Sequence, residues 1–325
     1  MNLLKSAAAV SAMTMLSRIT GLIRETITAR LLGAGAESDA FFIAFRIPNL
    51  LRRLFAEGAF SQSFIPILSQ TNATEGKLAA VDLARRVSSL LFLSLLLIVV
   101  LGVLGGSWVV MGMASGLEQG SDQFELTVLL TQWMFPYILL ISMVALASGL
   151  LNTFRSFALP AFAPVLLNIS FIAGALLLAP YFDQAVKAFA ISVMVGGVLQ
   201  VAVLWYGLAR TGCLINPFAG FGSIKSAWQD ERVRRVLKNM VPATLAVSVA
   251  QISLIINTNI ASHLDKGSVS WISYGDRLME FPTALLGVAL GTVLLPSLSA
   301  AATRSHEEYS RLMDWGLRLT VVFVL

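Results

Sequence analysis

Charged residues are scarce in this chain of 325 residues: they make up 13% of it, whereas soluble domains average about 25%. Hydrophobic residues reach 57%, and the mean hydropathy is +0.79. Apolar stretches of membrane-spanning length recur along the whole sequence, which excludes an ordinary soluble domain. The short alternating strands of a membrane barrel are absent. The sequence therefore predicts an all-α, polytopic membrane protein.

Cysteine and histidine are almost absent. Cys213, the single cysteine, excludes a disulfide within the chain and argues against a cysteine-ligated metal. His263 and His306 fall in predicted loops, where a structural or solvent-exposed role is expected. The sequence also has no phosphate-binding GxxxxGK[ST] loop and no constellation typical of a catalytic site. We expect no enzyme activity, no cofactor and no metal site.

The net charge of +5 is not organised as a nucleic-acid-binding surface. Lysine and arginine instead concentrate in every second connection between apolar stretches, while Lys187 and Lys266 are the main basic residues of the others. This asymmetry predicts a cytoplasmic N-terminus. The first apolar run is too long for a signal peptide and is interpreted as an uncleaved span.

Eight complete spans and the start of a ninth are predicted. Their approximate bounds are 8–32, 39–68, 86–112, 124–153, 158–180, 185–208, 235–262 and 270–298. The ninth begins near Tyr309 and reaches only about 25 Å by Leu325, less than the roughly 30 Å of a bilayer core. We therefore expect a truncated chain.

An internal repeat predicts the domain organisation. A shift of 230 residues overlays spans one and two on spans seven and eight, and places Pro66 on Pro296. Six spans per copy give both copies the same orientation, as in transporters built from parallel repeats around a central cavity. The predicted divisions are an N-terminal six-helix lobe (1–208), a cytoplasmic linker with an amphipathic helix (209–234) and the start of a C-terminal lobe (235–325). An ordinary long loop is the alternative for the linker.

Charged side chains inside the spans are the most informative feature, because a charge near the bilayer centre costs several kcal/mol and usually faces a cavity or a partner. In the first span, Arg18 and Glu25 share one helical stripe, and Ser17 and Arg24 share an adjacent stripe. The polar wedge is broad enough to line a cavity. The alternative is a structural role for Arg18 and Glu25.

The second span begins at Asp39 and carries Arg46, Asn49 and Arg53 on one stripe, with Arg52 beside it; Glu57 follows one turn later and is expected to pair with Arg53. Pro48 should bend the helix near this cluster. Snorkelling of Arg52 and Arg53 to the headgroups is the alternative.

In the eighth span, Ser270, Arg277 and Glu280 share a stripe, and the repeat places Arg277 at the depth of Arg46. A private Arg277–Glu280 pair is the alternative to cavity lining. Because guanidinium groups stay charged and match phosphate oxygens in bidentate fashion, converging arginines predict a phosphate-bearing cargo.

The run PNLLRRLFAEGAFSQ, together with FPYILLIS, NTFRSFALPAFAPVLLNIS and SVSWISYGDRLMEFPTALLGVALGTVLLPSLS, closely resembles the MurJ (MviN) family of lipid II flippases. The resemblance extends over essentially the whole chain. It implies fourteen helices in the complete fold, a bacterial inner-membrane location, and transport of lipid II for peptidoglycan assembly by alternating access. Membrane lipids and cell-wall synthesis enzymes are the implied partners.

The resemblance also implies roles for individual residues. The cavity arginines of the family match Arg18, Arg24, Arg52 and Arg277, its sensitive acidic positions match Asp39 and Glu280, and its small polar position matches Ser270. We expect the diphosphate to be bound by the four arginines together with Ser17, Asn49, Arg53 and Ser270. Asp39, Glu25, Glu57 and Glu280 are expected to form a gating charge network.

Three other functions stay open. One is export of another polyprenyl-diphosphate-linked oligosaccharide, and another is drug export within the same superfamily, although a cationic drug would favour acidic cavity residues. The third is a non-transporting scaffold for cell-wall enzymes, which would leave the membrane arginines without a role.

Overall fold

The computed structural model describes residues 3–53, 60–217, 224–289, 298 and 306–324, and within these ranges it contains helices and no strands. Glu57 lies outside the described residues, as does the side chain of Glu280. The helices are α1 (Leu3–Leu32), α2 (Ala36–Leu51), α3 (Phe60–Thr74), α4 (Lys77–Leu104), α5 (Gly106–Met113), α6 (Asp122–Met134), α7 (Tyr137–Thr153), α8 (Ala158–Ala173), α9 (Ala185–Arg210), α10 (Ile224–Gln229), α11 (Glu231–Ser262), α12 (Ser268–Ala289) and α13 (His306–Val324).

Several predicted spans are interrupted helices. Gly105 separates α4 from α5, and Phe135 and Pro136 separate α6 from α7. Proline has no N–H to donate, so Pro136 starts the second segment of that span. The predicted span 158–180 continues from α8 into a π-helical turn, Gly174–Leu178, and a short 3₁₀ turn.

In the part of the chain that the structure describes, five helical stretches are long and apolar enough to cross a membrane; they are Lys77–Leu104, Asp122–Thr153, Ala158–Tyr181, Ala185–Arg210 and Glu231–Ser262. At about 1.5 Å per residue, α1 is also long enough, but Arg18, Arg24 and Glu25 reduce its apolar character. The span predicted over α1 stays a prediction.

The helices between α2 and α9 enclose a dense apolar core. Phe41 of α2 packs against Phe171 of α8 and Phe189 of α9 with ring centroids 6.3 and 5.8 Å apart. The hydroxyl of Ser170 donates to the Ser192 carbonyl oxygen across the α8–α9 contact at 2.7 Å. This packing fixes the position of α8, which also contacts α1.

The chain divides into two compact units, Met1–Val269 and Ser270–Leu325. The first contains α1–α11, and the second contains most of α12 together with α13. The predicted lobe boundaries at 208 and 235 do not coincide with this division and stay predictions.

Candidate functional site

Polar side chains of α1 are largely satisfied within the helix itself. The hydroxyls of Thr14, Thr20 and Thr28 donate to the carbonyl oxygens four residues earlier, at 2.8–2.9 Å. Such bonds allow hydroxyls to sit in apolar surroundings, where an unsatisfied polar group would cost several kcal/mol. The charged side chains Arg24 and Glu25 of α1 have other partners.

Arg24 is held by three neighbours. Its Nη1 donates to Oδ1 of Asn168 on α8 at 3.0 Å, and its Nη2 pairs with the carboxylate of Glu25. The guanidinium carbon also lies 5.3 Å from the ring centroid of Phe171, in cation–π geometry. The Arg24 side chain is only 15% exposed. The helical stripe that carries Arg24 thus faces α8. The ion pair of Arg24 is with Glu25, the next residue in the chain.

Asn168 is the residue of this cluster that the sequence analysis missed. Its Nδ2 donates to the Ser17 carbonyl oxygen at 3.0 Å and to the Thr20 hydroxyl at 3.1 Å, while its Oδ1 accepts from Arg24. It is 6% exposed. The sequence feature that could have indicated it is an amide side chain inside the largely apolar run ALPAFAPVLLNISFIA, four residues after Pro164.

Arg18 differs from Arg24 in its surroundings. It is exposed, and it makes no hydrogen bond or ion pair with another residue of the described part of the chain. Six residues separate the two arginines, which places them on different faces of α1. One is therefore a fixed cation and the other an accessible one.

The arginines of α2 have distinct partners. Arg46 donates from Nη1 to the hydroxyl of Thr258 on α11, and Thr258 in turn donates to the Leu254 carbonyl oxygen at 2.7 Å. Nε of Arg52 donates to Oδ1 of Asn49 at 3.0 Å. Arg46 thus reaches α11, whereas the Arg52–Asn49 pair stays within one turn of α2.

Arg52 and Arg53 lie in a π-helical turn at the end of α2, and both are partly buried. Pro48 lies four residues before Arg52 and cannot donate to the preceding turn, so the ladder of hydrogen bonds is already interrupted there. The bend predicted near the cluster stays a prediction. The predicted pairing of Arg53 with Glu57 falls outside the described residues.

Asp39 makes a buried contact at the opposite end of α2. Its Oδ2 accepts a hydrogen bond from the backbone N–H of Gly267 at 2.6 Å, and Asp39 is 3% exposed. Gly267 has φ +101°, a conformation that other residues rarely adopt. The carboxylate thus joins the start of α2 to the turn between α11 and α12.

Nearby, the α5–α6 loop approaches the end of α11. The N–H of Gly116 donates to the Ser262 hydroxyl at 3.0 Å, and a Cβ at Gly116 would lie 2.3 Å from the Ser262 carbonyl oxygen. The Ser115 hydroxyl lies 3.1 Å from Nε2 of His263. We call the region that contains Asp39, Gly116, Ser262, His263 and Gly267 the Asp39 end of the molecule.

A cavity of 840 Å³ opens at the Asp39 end. Its lining includes the acidic residues Glu37, Asp39, Glu118 and Asp122, with Lys266 as its basic member. No group of metal-ligating side chains occurs in the described part of the chain. This cavity therefore has the opposite charge to the arginine-bearing end of α2.

A second group of charges, the Asp230 cluster, joins the turn after α3, helix α4 and the start of α11. Its members are Glu75, Asp82, Arg85, Arg86, Asp230 and Arg232. Arg232 pairs with Asp230 and with Glu75, both at 2.9 Å. Hydrogen bonds from the Arg232 side chain and backbone lower the pKa of Asp230 below its ordinary value, against the opposing effect of burial. Asp230 also caps α11.

In the second compact unit, α12 carries Ser270, Arg277 and Glu280. Ser270 is fully buried, and Arg277 is partly buried. The structure thus brings Arg24, Glu25 and Asn168 together, and Arg52 with Asn49. The predicted convergence of Arg18, Arg24, Arg52 and Arg277 on one ligand stays a prediction.

The fold is that of a multi-helix membrane transporter. A multidrug resistance MATE family transporter of the MOP superfamily, in an inward-facing conformation, superposes with a TM-score of 0.71 at 15% identity, covering 98% of this chain and 71% of that one. A solved structure of the lipid II flippase MurJ, in an inward closed conformation, gives 0.73 at 26% identity, covering 95% and 62%.

Sequence comparison defines the family. The family described as lipid II flippase MurJ matches residues 28–325. The chain is 56% identical to the lipid II flippase MurJ of Burkholderia cenocepacia, covering 98% of this chain and 62% of that protein. It is 42% identical to the probable lipid II flippase MurJ of Vibrio cholerae, covering 98% and 61%. The chain belongs to the MurJ family, and it spans about three fifths of the length of these relatives.

Proposed function

We propose that this chain carries the arginine-bearing part of a flippase that moves lipid II, an undecaprenyl-diphosphate-linked muropeptide, from the cytoplasmic to the periplasmic leaflet of the bacterial inner membrane. The observation that carries the proposal is Arg24: a guanidinium inside a helix of membrane-spanning length, fixed by Asn168 and Glu25. Two of its five N–H donors are used in these contacts. The remaining donors would bind phosphate oxygens of the cargo.

The chemistry required is binding without bond making or breaking. A diphosphate carries negative charge on several oxygens, which suits bidentate binding by arginine. Arg18 supplies an exposed cation on the same helix, and Arg52 supplies one on α2. Arg277 of α12 is the proposed contribution of the second lobe. Neutralisation of these charges by the headgroup would favour closure around it and alternating access.

We further propose the parallel six-helix repeat and the cytoplasmic N-terminus, both supported by the sequence patterns described above. In this orientation the Asp230 cluster lies on the cytoplasmic side, and the acidic cavity at the Asp39 end lies on the periplasmic side. An acidic lining there would disfavour rebinding of a released diphosphate. Cell-wall synthesis enzymes are proposed partners, since they would use the delivered precursor.

The test combines binding and growth in the intact protein. Arg24, Arg52 and Arg277 are each changed to alanine, and the dissociation constant for lipid II is measured beside complementation of a strain lacking its own flippase. We expect binding to weaken by about tenfold or more per arginine, as for a lost charged hydrogen bond, and growth to fail in the triple variant. Arg85→Ala is the matched control, because Arg85 pairs with Asp82 in the Asp230 cluster.

The alternatives predict different outcomes. An exporter of another lipid-linked oligosaccharide would bind that undecaprenyl-diphosphate compound more tightly than lipid II. A drug exporter would bind cations and would not lose affinity when arginines are removed. A scaffold would support growth without binding lipid II. Normal growth of the triple alanine variant would refute the proposed function.

A further inference from the structure

The side chain of Asn168 on α8 makes hydrogen bonds with three residues of α1. Both ends of its amide are used: Nδ2 donates to the Ser17 carbonyl oxygen and the Thr20 hydroxyl of α1, and Oδ1 accepts from Arg24. These three partners span about two turns of α1. The amide orientation is fixed by this pattern, because only the oxygen can accept from a guanidinium and only the nitrogen can donate to a carbonyl. Asn168 therefore fixes where Nη1 of Arg24 points.

Phe171 completes the support from the same face of α8. It lies three residues after Asn168, one helical turn away, and its ring faces the guanidinium of Arg24 at 5.3 Å. Phe171 itself is locked against Phe41 and Phe189 of the apolar core. The guanidinium thus meets an acceptor and an aromatic ring that both belong to a rigid helix.

We propose that Asn168 is a positioning residue for cargo binding: it holds the Arg24 guanidinium in the orientation that presents its unused N–H donors to a phosphate group. This inference rests on the proposed function, in which Arg24 contacts the diphosphate. Preorganisation of this kind strengthens binding because the bound geometry exists before the ligand arrives.

An amide suits this position better than a carboxylate. Arg24 and Glu25 together are already formally neutral. A carboxylate at position 168 would make the group net negative and would repel a phosphate, whereas a neutral amide holds the guanidinium without adding charge. The residue type thus agrees with a role in presenting the arginine rather than in neutralising it.

The experiment is a double-mutant cycle in the intact protein. The dissociation constant for lipid II is measured for wild type, Asn168→Leu, Arg24→Ala and the double variant. We expect Arg18 and Arg52 to retain enough binding for the measurement. We expect Asn168→Leu to weaken binding by about tenfold in the wild-type background, as for a lost hydrogen bond to a charged group, and by less than twofold when Arg24 is alanine.

Gln200→Leu is the matched control. It removes another buried amide that contacts α8, where Nε2 of Gln200 donates to the Ala163 carbonyl oxygen at 3.0 Å, but it does not touch Arg24. We expect its effect on lipid II binding to be the same in both Arg24 backgrounds. The apparent Tm of each variant reports whether the helices remain packed.

The outcomes separate the two claims. If Asn168→Leu weakens binding equally with and without Arg24, Asn168 only holds α8 to α1, and the inference is wrong while the proposed function stands. The same holds if Asn168→Leu leaves binding unchanged although Arg24→Ala weakens it. If Arg24→Ala binds lipid II as tightly as wild type, the proposed role of Arg24 in cargo binding is wrong, and the inference about Asn168 is wrong with it.

Discussion

Asp39 and Gly267 lie 228 residues apart in the chain and are joined by a buried hydrogen bond of 2.6 Å from the Gly267 N–H to the Asp39 carboxylate. The acceptor is a side chain at the start of α2, and the donor is backbone in the turn before α12. A charged acceptor on a backbone N–H is roughly twice as strong as a neutral one. The contact therefore makes the turn depend on the charge of a single residue.

Asp39→Asn should loosen this turn. The side chain keeps its shape and one acceptor oxygen but loses its charge, so the hydrogen bond should weaken by about 1 kcal/mol. Amide hydrogen exchange of the segment 264–270 should accelerate about fivefold, measured by mass spectrometry. Glu37→Gln removes the same charge nearby and should leave exchange unchanged. Equal acceleration in both variants would show that the loss of negative charge in this region, and not the loss of the Asp39–Gly267 hydrogen bond, loosens the turn.

Thr258→Val should destabilise the protein more than other buried threonine substitutions. It removes the acceptor of Arg46 as well as the bond to the Leu254 carbonyl, and a charged donor that loses an acceptor costs about 1–3 kcal/mol. Thr131→Val is the control, since its hydroxyl donates only to the Thr127 carbonyl of its own helix. The apparent Tm should fall at least twice as far for Thr258→Val; equal shifts would contradict the importance of the Arg46 contact.

Gly116→Ala should disturb the approach of the α5–α6 loop to α11. The added Cβ would lie 2.3 Å from the Ser262 carbonyl oxygen, which is backbone and must move, at a cost of about 1–3 kcal/mol. We expect the apparent Tm to fall by about 2–4 °C. Gly112→Ala, where a Cβ meets nothing within 4 Å, should lower Tm by less than 1 °C or raise it, since alanine favours a helix by about 1 kcal/mol.

Asp230 should make the stability of the protein depend on pH in the acid range. Because its pKa in the folded state is lowered below 3.8, the ionised carboxylate stabilises the fold fully above 3.8 and loses this effect as pH falls through the folded-state value. Asp230→Asn should therefore lower Tm at pH 7, and its difference from wild type should shrink below pH 3.8. Asp183→Asn, which removes a carboxylate at an exposed position, is the control for the loss of one negative charge.

The helices could be predicted from the sequence because apolar runs of membrane-spanning length are rarely anything other than helices. The bounds predicted over 185–208 and 235–262 agree with α9 and α11 within four residues. Interruptions were harder to predict, since Gly105 and Pro136 break hydrogen bonding locally while the apolar run continues through them. Hydropathy does not detect a break of this kind.

The partners of the charged residues were the less predictable part of the site. Helical spacing placed Arg24 on a stripe, but its partner Asn168 lies 144 residues away on a helix whose rotation no periodicity fixes. Arg46 likewise finds Thr258, 212 residues away. Spacing within one helix predicts which residues share a face, and only tertiary packing decides what that face meets.

The order of charges along α2 has an electrical consequence. Glu37 and Asp39 lie in its first turn, and Arg52 caps its other end, about 20 Å away. A helix is partially positive at its start and partially negative at its end, so both sets of side chains oppose the backbone dipole. The backbone dipole, equivalent to about half a charge at each end, offsets part of the side-chain field and lowers the cost of placing this charged helix in a low-dielectric medium. An anion approaching the Arg52 end would meet a positive field that the helix end weakens without cancelling it.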